Sequence, residues 1–187
     1  MNEDIFLTDY FNECKNFISN QEVIQLCKDA KKMILKTSES EGKLMFAGNG
    51  ASASVANHAS LDFTKQAKIK SINFNESALI TAFANDYGYE NWIQKAVEYY
   101  GDNKDTLILI SSSGQSPNVV NAAKYAIDNS INVITFTGFE PNNPLLMSGN
   151  INFWLNSKSY NIIEGIHQLW LMSICDLIIG KKEYSVK

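Results

Sequence analysis

Apolar residues in the first forty positions recur every three to four residues. Phe6, Tyr10, Phe11, Cys14, Phe17 and Ile18 form one series, and Val23, Ile24, Leu26, Cys27, Ala30, Met33 and Ile34 form a second. That spacing predicts a helical N-terminal segment. Beyond it, short apolar runs alternate with amphipathic ones. Strands are predicted at KLMFAGNG, IKSINF, DTLILISSSG, NVITFTG and INFWLN, with DTLILI apolar on both faces. Helices are predicted at SASVANHASLDFTKQ, NESALITAFAND, YENWIQKAVEYYG and SPNVVNAAKYAIDNS, where Pro117 stands in the first turn and its missing N–H does no harm. The last helix, IIEGIHQLWLMSICDLIIG, is strongly apolar and stops at Gly180.

Strands alternating with helices predict an α/β protein whose parallel sheet is covered by helices on both faces. No Pro/Gly/Ser linker, low-complexity tract or internal repeat interrupts the pattern. We therefore expect a single domain over 1–187, with a helical segment at 1–40 and an α/β core plus C-terminal helix at 41–187. Ligands of such sheets bind beyond the carboxyl ends of the strands. Two turns fall there, Gly48–Ser54 and Ser111–Ser116.

With 187 residues, 45% of them apolar, the chain is long enough for a sizeable core. The net charge is −4 and the basic residues are scattered, which argues against a nucleic-acid partner. The three cysteines, Cys14, Cys27 and Cys175, are widely spaced and read as reduced thiols. The acidic start MNEDIFLTDYF lacks an apolar signal core, and no apolar run is expected to reach the ~20 residues of a membrane span. A soluble, cytoplasmic protein without a membrane partner is expected.

ISSSGQSPN follows a strand and opens a helix, gathering Ser111, Ser112, Ser113 and Ser116 around Gly114. A helix N-terminus offers unpaired N–H groups and a positive dipole end, and serine hydroxyls add short donors. The loop lacks the lysine of a Walker loop, which points to a monophosphate. Residue types alone leave a second reading open, in which Ser113 or Ser116 simply caps the helix.

FAGNGAS, ANDYGYE and ILISSSGQSPNVVNAAKYA, taken in that order over Leu44–Gly138, resemble the sugar isomerase (SIS) domain, and most of all its phosphoheptose isomerase branch. The resemblance implies a flavodoxin-like three-layer sandwich, N-terminal helices used for oligomerisation, and a homotetramer with active sites between subunits. It implies that Ser52, Ser111, Ser112, Ser113 and Ser116 hold the phosphate of a phosphorylated sugar. It also implies that Asn49, with Gly50 in its turn, and Asp86 contact the sugar chain.

The chain has two histidines. His58 and Asp62 are four apart on one helix, and Glu164 and His167 are three apart on another, so each pair shares a face. Two histidines and two carboxylates could bind Zn²⁺ or another divalent metal. The same pairs also read as a surface ion pair and a core histidine. In phosphoheptose isomerases, the match to His58 helps bind zinc and the match to Asp62 is a glutamate acting as base. The C-terminal helix departs further: Met172 falls where the family carries a catalytic histidine, and Asn161 where relatives often carry an aspartate. The phosphate half of the site looks intact and the acid–base half rewritten.

The expected activity is therefore aldose–ketose isomerisation of a sugar phosphate. Resemblance implies sedoheptulose 7-phosphate, serving lipopolysaccharide, capsule or another heptose glycoconjugate. Asp62 or Glu164 is the expected base, with His58 and His167 holding a metal or donating protons. The alternatives are a non-catalytic SIS module that senses a sugar phosphate or binds a protein partner, and an isomerase of another phosphosugar. Trp92, Tyr99, Tyr100, Trp154 and Trp170 are expected to pack in the core or a subunit interface, and KKEYSVK to be a solvated tail.

Overall fold

A computed structural model describes residues 1–183. Two helices open the chain, α1 (Glu3–Ile18) and α2 (Gln21–Glu39). Asn2 caps α1 by accepting from the N–H groups of Asp4 and Ile5, and Asn20 caps α2 by accepting from Val23. Then follow β1 (Leu44–Gly48), α3 (Ala51–Lys65), β2 (Ser71–Asn73), α4 (Ser77–Tyr87), α5 (Trp92–Tyr100), β3 (Thr106–Ser111), α6 (Pro117–Asp128), β4 (Asn132–Thr137), β5 (Ile151–Trp154) and α7 (Tyr160–Ile179). The five strands form one parallel sheet in the order β2-β1-β3-β4-β5.

Alternation along the buried strands divides the core in two, because successive side chains point to opposite faces. Leu44, Phe46, Ile108, Ile110, Ile134, Phe136 and Phe153 meet apolar residues of α2, α3 and α7. Met45, Ala47, Leu107, Leu109 and Val133 meet α5 and α6 on the other face. The expected three layers are therefore present. Trp92 and Trp170 are buried, whereas Tyr99 and Tyr100 are exposed, with the Tyr99 and Tyr87 hydroxyls 3.2 Å apart. Lys181–Glu183 are exposed, and the rest of the expected tail lies outside the described residues.

The apolar C-terminal helix corrects one expectation. α7 has 20 residues with a mean hydropathy of 1.5, long and apolar enough to cross a membrane. Its apolarity has another cause here: Ile162, Ile163, Ile166, Trp170, Leu171 and Ile174 are buried against the sheet and the neighbouring helices. A central helix covered on several sides is apolar around most of its circumference.

The strand order sets the location of a site. The chain leaves β1 toward β2 and then returns to β3 on the other side of β1. The carboxyl ends of β1 and β3 therefore flank a topological switch point, where crossovers diverge and leave a crevice. Gly48 makes the crevice tight. A Cβ there would stand 2.8 Å from both Ile110 O and Ser52 Cβ, so only glycine lets the first turn of α3 press against the end of β3.

Candidate active site

Both expected loops lie at that switch point, in register: Gly48 pairs with Ile110, and Ser111 pairs with Thr137 of β4. Gly50 starts α3 at φ +57°, a left-handed conformation that favours glycine, and no side chain caps the helix. Ser116 starts α6 with Pro117 behind it, and its side chain makes no capping bond. Ser113 Oγ accepts instead from Gln115 N at 3.3 Å, and Ser111 Oγ accepts from Gly114 N at 3.2 Å. The serines fold the turn and do not cap α6, so two helix N-termini without side-chain caps converge on one crevice. Such ends attract anions through N–H groups and the helix dipole. Ser52, Ser111 and Ser112 are buried, while Ser113 and Ser116 are partly exposed.

A side-chain clasp joins the loops. Asn49 Nδ2 donates to Asn118 Oδ1 at 3.0 Å, and Asn118 Nδ2 donates back to Asn49 Oδ1 at 2.9 Å. The Tyr89 hydroxyl also donates to Asn49 Oδ1, at 3.2 Å. Asn118 and Tyr89 escaped the residue-by-residue reading, although both lie inside the quoted motifs. Asn49 and Asn118 are 69 positions apart, so only the fold shows that they pair. Asp86 does not join this cluster. It is exposed near the end of α4 and accepts from its neighbour Asn85.

Below the loops, α3 and α7 pack side by side and run in the same sense from the carboxyl edge of the sheet. Glu164 lies nearest the loops, where Ser112 Oγ donates to its Oε1 at 3.5 Å. The exposed His58 faces Asp62 one turn further along α3, with Nε2 to Oδ2 at 3.3 Å. Gln168 of α7 meets the other nitrogen, its Nε2 lying 2.8 Å from His58 Nδ1. At 1.5 Å per residue, His58 is about 9 Å beyond Ser52 along the α3 axis.

His167 does not belong to this groove. A residue three positions on is rotated about 60° from the first around a helix, and one four positions on about 40° the other way. Here that difference carries Gln168 to α3 and turns His167 into the core. His167 is fully buried, with Nε2–H donating to Thr137 O at 3.0 Å and Nδ1 left without a partner. Burial pushes its pKa down to about 4, against the raising effect of the Thr137 carbonyl. A neutral ring tied to a backbone carbonyl neither shuttles protons nor reaches a metal. Cys175, another core group near Asp62, is held as a thiol: burial first, then the charges of Asp62 and Asp176, push it up to about 12.

The expected ligand set of His58, Asp62, Glu164 and His167 therefore does not converge. Among the described residues, no three His, Cys, Asp or Glu side chains gather in a way that would hold a metal ion. Within one chain the donors do not fit a resident Zn²⁺: His167 is sequestered, and His58 has Asp62 and Gln168 against its two nitrogens. Met172 is part-buried against the apolar core.

Comparison with known proteins agrees with the geometry. Residues 9–138 match the family described as the SIS domain. The chain belongs to the SIS domain family. Within that family it is similar to phosphoheptose isomerases: it is 31% identical over 179 residues to the phosphoheptose isomerase of Helicobacter pylori strain P12, covering 88% of this chain and 92% of that one. The solved phosphoheptose isomerase of Francisella tularensis superposes with a TM-score of 0.87 at 27% identity, over 97% of this chain and all of the other. That of Neisseria gonorrhoeae superposes with a TM-score of 0.83, also at 27% identity, over 94% and 98%.

Proposed function

We propose that the protein is a phosphoheptose isomerase, interconverting sedoheptulose 7-phosphate and D-glycero-D-manno-heptose 7-phosphate. The observation that carries the reading is the crevice between β1 and β3. Two helix N-termini without side-chain caps and five serines meet there, and a groove holding two carboxylates leads away from it. Family membership and the relatives' names support the same activity.

The phosphate sits on Ser52, Ser111, Ser112, Ser113 and Ser116, bound by hydroxyls, N–H groups and helix dipoles. The sugar chain enters the groove so that C1 and C2 lie between Glu164 and the His58–Asp62 pair. Asp62 takes the proton from C1 of the ketose as the C2 carbonyl becomes an enediolate. Glu164, near the oxygens, protonates O2 and takes the proton of O1. The proton held by Asp62 returns to C2, leaving an aldehyde at C1. Each proton removed is returned, so the isomerisation is redox-neutral overall.

A homotetramer in the cytoplasm completes the reading, with the product serving heptose-containing glycoconjugates such as lipopolysaccharide or capsule. α1 buries none of its residues and exposes Ile5, Phe6, Leu7 and Phe11, an apolar face suited to another subunit. A groove of about 370 Å³ is lined by Ile18, at the end of α1, together with Ile24, Leu169 and Leu177. Asp86, exposed near the end of α4, is available to a neighbour's crevice. Phe11→Glu is expected to lower the mass measured by light scattering from that of a tetramer; a monomeric wild type removes the assembly.

Activity is tested by incubating the protein with sedoheptulose 7-phosphate and following the aldose phosphate by NMR. Conversion is the expected result. No conversion, with substrate still raising the melting temperature, would replace the enzyme by a sugar-phosphate sensor.

A further inference from the structure

We propose that Gln168 is a positioning residue that fixes the tautomer of His58 and through it aims Asp62. The inference rests on the isomerase reading for its kinetic consequence but not for its structural content. The amide nitrogen of a glutamine only donates. Gln168 Nε2, at 2.8 Å from His58 Nδ1, therefore makes that ring nitrogen the acceptor. The proton of the neutral imidazole must then sit on Nε2, which lies 3.3 Å from Asp62 Oδ2. A directed chain results, from the Gln168 amide to His58 Nδ1, and from His58 Nε2–H to Asp62.

The chain does specific work. Asp62 is a half-buried groove carboxylate on a short stem, and a single fixed donor on one oxygen leaves the other free to face the substrate. A reversed ring would present a bare nitrogen lone pair to the carboxylate and repel it. Gln168 comes from α7 and His58 from α3, so the pair also pins the two walls of the groove to each other. Gln168 makes its hydrogen bond to His58 and not to the serine loops, so its effect should fall on turnover and not on binding.

The two histidines make the test direct. Long-range proton–nitrogen correlation on uniformly ¹⁵N-labelled full-length protein reports the protonation pattern of each ring. His167, donating from Nε2 to Thr137 O, serves as an internal reference for the Nε2–H form and for intact packing. In the wild type, His58 is expected to show the Nε2–H pattern. In Gln168→Leu it should become a mixture of tautomers, with kcat reduced on the order of ten- to a hundredfold and KM unchanged. In Gln168→Glu, whose carboxylate accepts, Nδ1 should carry a proton, and turnover should fall at least as far. A wild-type His58 protonated at Nδ1 overturns the proposal. So does a Gln168→Leu protein whose His58 pattern and kcat both match the wild type. If Gln168→Leu shifts the His167 signals, showing disturbed packing, Gln168→Glu decides by the same two readouts. If the wild type turns over no heptulose phosphate, the isomerase reading fails, while the tautomer measurement still decides whether Gln168 orders His58.

Discussion

Asp62→Asn is expected to lower kcat by about 10²- to 10⁴-fold, the usual contribution of a positioned general base, while the melting temperature stays near that of the wild type. Asp62 is half-buried in the groove between α3 and α7 and receives one partner, the ring of His58. Asparagine fills nearly the same volume and can still face the His58 ring, so the fold has no reason to change. It has no carboxylate with which to take the C1 proton. Glu164→Gln is expected to remove turnover as well, because the proton exchange between O1 and O2 loses its carrier. Its single contact, from Ser112, survives in the amide variant. Substrate should still raise the melting temperature of both variants, since the serine cradle is untouched. Steady-state kinetics beside thermal melts decide the matter. A fully active Asp62→Asn enzyme removes Asp62 as the base, and a fully active Glu164→Gln enzyme removes the oxygen-side role.

Acidification should cost the protein up to about 3 kcal/mol through one residue. His167 keeps a neutral ring in the folded state down to about pH 4. The same ring in the unfolded chain takes a proton below about 6.5. Between those values the unfolded state binds more protons, so stability falls as pH falls. The contribution is complete above about pH 6.5 and is lost at about 1.4 kcal/mol per pH unit toward pH 4. Carboxylates titrate over the lower part of this range too, so the measurement is a difference. His167→Gln retains an N–H donor for Thr137 O but cannot titrate there. Denaturant unfolding from pH 8 to 4.5 should show the wild type losing stability relative to His167→Gln as pH decreases. A constant gap between the two proteins over that range contradicts the depressed pKa and would return His167 to the candidate acid–base groups.

The extent to which sequence anticipates this protein varies by feature. Local chemistry carried the strands, helices and loops. Helical spacing marks α1 and α2, and an apolar run on both faces marks β3. Pro117 opens α6 and Gly180 closes α7. The two loops were visible because glycine and serine clusters stand at strand ends, although residue types alone left a helix-capping reading open. Spacing also brought His58 opposite Asp62, since four residues along a helix return to one face.

Spacing failed where the rotation of one helix against its neighbours decided the outcome. Glu164 and His167 stand three apart, and the local rule places them together. The burial of Ile162, Ile163, Ile166 and Trp170 instead sets the roll of α7, which drives His167 under β4 and lifts Gln168 toward α3. The same global packing joined Asn49 to Asn118 across 69 residues. The amino-acid sequence by itself determined the alternating α/β order, the phosphate-type loops and the His58–Asp62 pair, because each depends on neighbours within a turn or a strand. Only the tertiary structure decided that His58 lies in the groove against Gln168 and that His167 lies in the core. Those contacts cross between elements, and their geometry follows from the packing of the whole core.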